Sequence, residues 1–229
     1  MIKLEVICGL IIIFFCQTNS YADNQDMKVR LKPAQLVDKS LKELLESRYS
    51  CRSFQNKSLN LDAIATILWA ACGKKHDTVT SASRTIPSAG ATYPLELYLV
   101  VGKDGVDKLK EGIYHYLIDE HALEFISPGD SRSALAAACL GQGFIKDAPV
   151  SLVIAAKFDR TTNRYGARGG QYVYAEAGHA CQNTYLSVAN LGLGTVEVGA
   201  FGDDSVKGAL NLEKDYAPLI VMPIGYPKD

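Results

Sequence analysis

The chain has 229 residues, of which 48% are hydrophobic and 21% charged, with a formal net charge of -1. That apolar content supplies one compact core and excludes a disordered or fibrous chain. The near-zero balance, with no long run of Lys or Arg, excludes the basic footprint of a nucleic-acid binder.

The chain begins "MIKLEVICGLIIIFFCQTNSYADNQ", with Lys3 ahead of an apolar run from Val6 to Cys16 and then the triplet Ser20-Tyr21-Ala22. This layout predicts a signal peptide over residues 1–22, cleaved before Asp23, and hence export to a periplasmic or extracellular space. The apolar run is shorter than the roughly 20 residues of a comfortable membrane span. An uncleaved interfacial anchor is the alternative, and it is the only membrane association expected.

Past that segment, Leu36, Leu41, Leu44 and Leu45 recur at near-helical spacing, predicting a helix over 36–48. A second helix is predicted from an N-cap at Asn60 to a stop at Gly73. Residues 74–91 have no periodicity and are rich in Ser and Thr, predicting a long loop of the kind that often carries function. "YPLELYLVVG" reads as a strand, residues 111–126 as a hairpin turning at Asp119 and Glu120, and "SALAAACLGQGF" as one short buried helix. "APVSLVIAAKF" is a continuous apolar run, as in a strand buried on both faces. A polar segment, "DRTTNRYGARGGQ", leads into a helix from Tyr172 to Asn190, and "LGTVEVGAF" and "APLIVMPIGY" read as the last strands. The order predicts one α+β domain over residues 23–229, without repeats. Cys51, Cys72, Cys139 and Cys181 are too widely spaced for a CxxC metal site or a dense disulfide scaffold and read as buried thiols, with one disulfide of undetermined partners as the alternative.

Three clusters carry the functional expectation. Arg48, Ser50 and Arg52 stand at every second position after the first helix, so an extended segment would project all three to one side, with Tyr49 and Cys51 inward. Two guanidinium forks and a hydroxyl suit a phosphate monoester. A helix end with surface charges would show the same residues. "IPSAGATYP" offers small residues, Pro87, Ser88, Ala89 and Gly90, for close backbone approach to a flat ligand, or simply connects two elements. Gly199 and Ala200 follow an apolar strand and either aim N–H groups at a ligand or end that strand. No hydrolase elbow or P-loop is present. His179 and Cys181, two apart on a helix, cannot share a face, and no metal site is expected.

Taken together, "SRYSCR", "IPSAGATYPLELYLVVG", "YGARGGQYVYAEAGHACQNTYLSVANLGLGTVEVGAF" and "PLIVMPIGYP" resemble the nitroreductase superfamily, and more closely its SagB/ThcOx-type dehydrogenase branch. The resemblance implies an α+β fold with a mixed, mainly antiparallel sheet flanked by helices, in an entwined homodimer with FMN at each interface. By the same resemblance Arg48, Ser50 and Arg52 would hold the FMN phosphate and ribityl chain. Pro87, Ser88, Ala89 and Gly90 would line a flavin held mainly by the other subunit. Gly199 and Ala200 would present N–H groups near flavin N5, the hydride-transferring atom. The implied function is an FMN-dependent oxidoreductase acting on a small-molecule or peptide-derived substrate. Its rivals are a non-catalytic flavin-binding dimer and a peptide azoline oxidase. Tyr165 would be the catalytic residue, since azoline-oxidising members carry a Lys-Tyr pair at the position matching Arg164-Tyr165. Arg164 replaces that Lys, and a guanidinium cannot act as a general base.

Overall fold

The computed structural model describes residues 28–75 and 83–228. The predicted signal peptide and the middle of the 74–91 loop lie outside them. Seven strands form one sheet in the order β1-β4-β3-β2-β5-β7-β6: β1 Lys28–Arg30, β2 Leu95–Val101, β3 Gly112–Leu117, β4 Ala122–Pro128, β5 Val150–Ala156, β6 Gly194–Thr195 and β7 Ala217–Gly225. Every pairing between these strands is antiparallel. Parallel pairing is confined to single bridges, Ser50 with Thr195 and Leu59 with Val106, so the sheet is more uniform than expected.

The central strands read as continuous apolar runs because helices cover both faces. On β2, Leu95, Leu97, Leu99 and Val101 enter one core, while Tyr98 and Val100 enter the other, as the two-residue period of a strand requires. The first core is closed by α2 (Leu61–Cys72) and α6 (Gly169–Asn190) through Ile64, Ile67, Leu68, Val173, Ala177 and Ala180. Ala177 and Ala180 keep α6 close to α2, whereas Ala175 points outward. The second core is closed by α3 (Arg132–Ala138) and α7 (Asp203–Leu210) through Leu135, Val206 and Leu210.

Several elements differ from the sequence expectation. The first helix, α1, spans only Leu41–Ser47, because Ser40 and Glu43 form a capping box that starts it there. Leu36 therefore lies outside it, and Leu36, Leu41 and Leu45 are exposed. "SALAAACLGQGF" is broken after α3 by left-handed Leu140 and Gly141, and the chain resumes as the short α4, Phe144–Asp147. "LGTVEVGAF" forms only β6 and a bridge from Val198 to Val221, since the chain leaves the sheet for α7. The polar segment before α6 is helical: α5 spans Asp159–Tyr165 and a 3-10 turn, Gly166–Arg168, joins it to α6 at Gly169. Asp119 and Glu120 do turn the β3–β4 hairpin. All four described cysteines are buried and free.

Candidate functional site

The stretch after α1 runs along the outer edge of the sheet. Arg48 caps α1 with its N–H on the Leu44 carbonyl at 3.1 Å, then turns extended (φ -65°, ψ 136°). Cys51 donates its N–H to the Thr195 carbonyl at 2.8 Å, and its thiol side packs against Gly194 so closely that a Cβ there would sit 2.7 Å from Cys51 Cβ. Cys51 is thereby buried as expected. Tyr49 is not: it stays 52% exposed because the segment lies at the rim of the fold.

The Arg48 guanidinium stacks over the Tyr185 ring of α6, 5.0 Å from its centroid, a contact worth about 0.5–1 kcal/mol where exposed and more when desolvated. Ser50 Oγ lies 3.3 Å from the Tyr185 hydroxyl, which also accepts the Glu197 N–H at 2.8 Å. Arg48, Tyr49, Tyr185, Gly192 and Thr195 line one cavity of about 200 Å³. Arg48 Nε is buried with no hydrogen-bond partner among the described residues. An unpaired buried guanidinium N–H costs about 1–3 kcal/mol or more, and an anion in that cavity would remove the cost. Arg52 is separate: it lines a neighbouring cleft of about 670 Å³ with Asp130, Arg132, Asp147, Lys146 and Lys228. The structure thus brings Arg48 and Ser50 to the same tyrosine, Tyr185, and places Arg52 in the neighbouring cleft.

Gly199 and Ala200 are exposed beyond Val198, and among the described residues their N–H groups have no hydrogen-bond partner. The Ala200 carbonyl accepts a long contact, 3.4 Å, from Gln142 Nε2.

The Pro87–Gly90 segment ends in a 3-10 turn, Ala89–Ala91, with left-handed backbone at Gly90 (φ 59°), Ala91 (φ 54°) and Tyr93 (φ 45°). Left-handed non-glycine residues are strained by roughly 1 kcal/mol or more each, so the loop needs external ties. Most of them come from α5. Arg164 donates to the Gly90 carbonyl at 2.8 Å, Arg160 to the Tyr93 carbonyl at 3.0 Å, and the Thr92 and Thr161 hydroxyls are 2.8 Å apart. Glu96 pairs with both Arg160 and His115, and these partners outweigh burial to hold its carboxyl below the usual range. The Tyr165 hydroxyl packs against Gly90. Gly90→Ala would drive a methyl into Tyr165 and Arg164 from a left-handed backbone. The variant is expected to lose about 1–2 kcal/mol in urea unfolding, and an unchanged midpoint would contradict the packing.

Sequence reasoning missed Arg160, Thr161, Glu176 and Tyr185. Glu176 had a signal, since it shares the inward stripe of α6 with Val173, Ala177 and Ala180. Tyr185 and the α5 ties had none, because they meet their partners only across the tertiary fold. Among the described residues no group of His, Cys, Asp and Glu is arranged to hold a metal ion, and no helix is long and apolar enough to cross a membrane.

The nitroreductase family profile matches residues 45–226. The chain belongs to the nitroreductase family. It is 44% identical over 185 residues to a nitroreductase-family protein of Methanocaldococcus jannaschii, covering 81% of this chain and 90% of that one. It is 30% identical over 165 residues to the trifolitoxin-processing protein of Rhizobium leguminosarum bv. trifolii, covering 68% of this chain and 44% of that longer protein. Among solved structures, a nitroreductase-family protein of Ralstonia eutropha superimposes with a TM-score of 0.75 at 27% identity, covering 89% of this chain and 90% of that one. Members of the nitroreductase family are in general flavin-dependent oxidoreductases, and the seven-stranded α+β architecture described above is the nitroreductase fold.

Proposed function

We propose that the chain is an FMN-dependent oxidoreductase, acting as a homodimer on a small-molecule or peptide-derived substrate. The observation that carries this reading is the partnerless buried Nε of Arg48, set over Tyr185 beside the Ser50 hydroxyl. Planar guanidinium and hydroxyl donors suit a terminal phosphate, and Arg52 would flank the same cofactor from the adjoining cleft. Gly199 and Ala200 offer free N–H groups to the ring system. When bound, FMN supplies hydride transfer through N5, while the protein supplies binding, orientation and electrostatics.

The proposed dimer is supported by the layout of α6. Tyr185 and Glu176 are nine residues apart on it, about 13 Å of helix, so the phosphate cavity and the Ser88 loop lie along different parts of the helix. An outward stripe of α6, Gln171, Tyr174, Ala175, Gly178, His179 and Gln182, is exposed among the described residues, with the Phe158 ring against Tyr174. In this reading a second copy packs on that stripe. The 1–22 segment acts in this reading as a signal peptide, so the cofactor is acquired outside the cytoplasm.

Peptide azoline oxidation is a second reading, favoured by the similarity to the trifolitoxin-processing protein. Arg164, always protonated and engaged with Gly90, cannot serve it as a base. Tyr165, beside Gly90, is the residue left to move a proton. The test is to purify the full chain, add FMN, separate the excess and record the flavin spectrum and the mass in solution. A yellow dimer with one flavin per chain is expected. A colourless protein that ignores FMN would sink the proposal.

A further inference from the structure

Glu176 is a carboxyl on the inward face of α6, 3% exposed, and among the described residues its Oε1 has no hydrogen-bond partner. Its neighbours are few. From the 83–94 segment come the Ser88 hydroxyl and the Arg84 guanidinium, and from α2 the Cys72 thiol. Burial pushes that thiol up to about 12, so it stays neutral. Arg84 NH1 is itself buried and partnerless among the described residues. The Ser88 oxygen accepts the Tyr93 N–H at 2.9 Å, which leaves its own proton to point at Glu176. The carboxyl thus meets the strained loop at Ser88, while Arg164 holds the same loop at the Gly90 carbonyl.

We propose that Glu176 is a positioning residue for the flavin site: through Ser88 it fixes the Pro87–Gly90 loop in the shape that receives the ring. This rests on the FMN reading above. Two consequences follow from placing a carboxyl there. Burial pushes Glu176 up to about 7, with Ser88 and Arg84 pulling the other way. A flavin seated on the loop displaces the solvent that screens this already buried carboxyl from outside, and the lower surrounding dielectric favours the neutral form. Flavin binding should therefore take up a proton, and affinity should fall as pH rises through neutrality. Protons are conserved in this step: Glu176 gains from solvent the one that its carboxylate lacked.

The experiment is an FMN titration by fluorescence quenching at about pH 6 and about pH 9, on the full chain and on Glu176→Gln. The glutamine keeps shape and hydrogen bonding but does not ionise. Dividing the wild-type affinity ratio by that of the variant cancels the ionisation of the FMN phosphate. The expected quotient is about tenfold, the equivalent of one further pKa unit, with the variant binding more tightly than wild type at the higher pH. A quotient near one would overturn the proposal while leaving the FMN reading intact. Absence of FMN binding to wild type at either pH would instead overturn the FMN reading, and this inference with it. Should the variant fail to fold, calorimetry of wild type in buffers of different ionisation enthalpy at about pH 8 decides the matter. About 0.4 proton taken up per flavin is expected from linkage, and none refutes the role.

Discussion

Replacing Arg48 by alanine is expected to weaken FMN binding by roughly 10- to 100-fold, from the 1.5–3 kcal/mol of a hydrogen bond to a charged group. The loss should be specific to phosphate. Riboflavin shares the ring and ribityl chain of FMN but lacks the phosphate, so its affinity should change far less. The reason lies in the cavity that Arg48 shares with Tyr185 and Thr195. The guanidinium has a ring beneath it and, among the described residues, a buried Nε without an acceptor. An arginine serving only as a helix-end charge would lie in solvent and complement the last carbonyls. Arg48 uses its backbone N–H for that cap and sends its side chain elsewhere. Arg52→Ala is the natural companion, since its own cleft contains other cations and two carboxylates. Equal FMN affinities for wild type and the Arg48 variant, by fluorescence quenching, would remove the phosphate assignment.

The second large effect concerns stability against pH. Glu176 has an ordinary value near 4.5 and is raised to about 7 in the fold, chiefly by burial. Between those values the folded state binds more protons than the unfolded one, so this group's contribution to stability falls as pH rises and reaches its full penalty above about 7. At about 1.36 kcal/mol per pKa unit, the penalty is at most about 3 kcal/mol. Glu176→Gln should therefore be about as stable as wild type near pH 4.5 and more stable by about 2–3 kcal/mol at pH 8. Urea unfolding of both proteins at the two pH values measures it. Carboxylates held low by partners, Asp130 beside Arg132 and Asp215 beside Lys157, are common to both chains and cancel in the difference. A constant gap between variant and wild type across the range would show that Glu176 does not titrate there.

Much of the frame was legible in the sequence because it rests on short-range periodicity. The alternation within β2, the apolar run of β5 and the Asn60-to-Gly73 bounds of α2 are local patterns, and each matches the structure. The misread segments are those whose shape a distant partner sets. "DRTTNRYGARGGQ" is too polar for a hydrophobic stripe, yet α5 forms, and its Arg160, Thr161 and Arg164 find carbonyls and a hydroxyl on the Gly90 loop. "LGTVEVGAF" has strand character throughout, but only Gly194 and Thr195 join the ladder, with a single further bridge from Val198 to Val221, because the chain then leaves the sheet for α7.

By itself the sequence determined that this is an α+β protein whose motif order is that of the nitroreductase family, and it placed Arg48, Ser50, the Pro87–Gly90 loop, Gly199 and Ala200 among the candidates. The fold class and the candidate clusters follow from residue spacing and turn chemistry, which act over a few positions, and the family from the resemblance of the motifs taken together. Only the tertiary structure decided which candidates meet. It set Arg48 and Ser50 on Tyr185, carried Arg52 into a separate cleft, tied the Arg164 guanidinium to the Gly90 carbonyl, and put Glu176 against Ser88. The physical reason is that burial and partnership are properties of neighbours distant along the chain, and these alone set the charge state and orientation of a side chain.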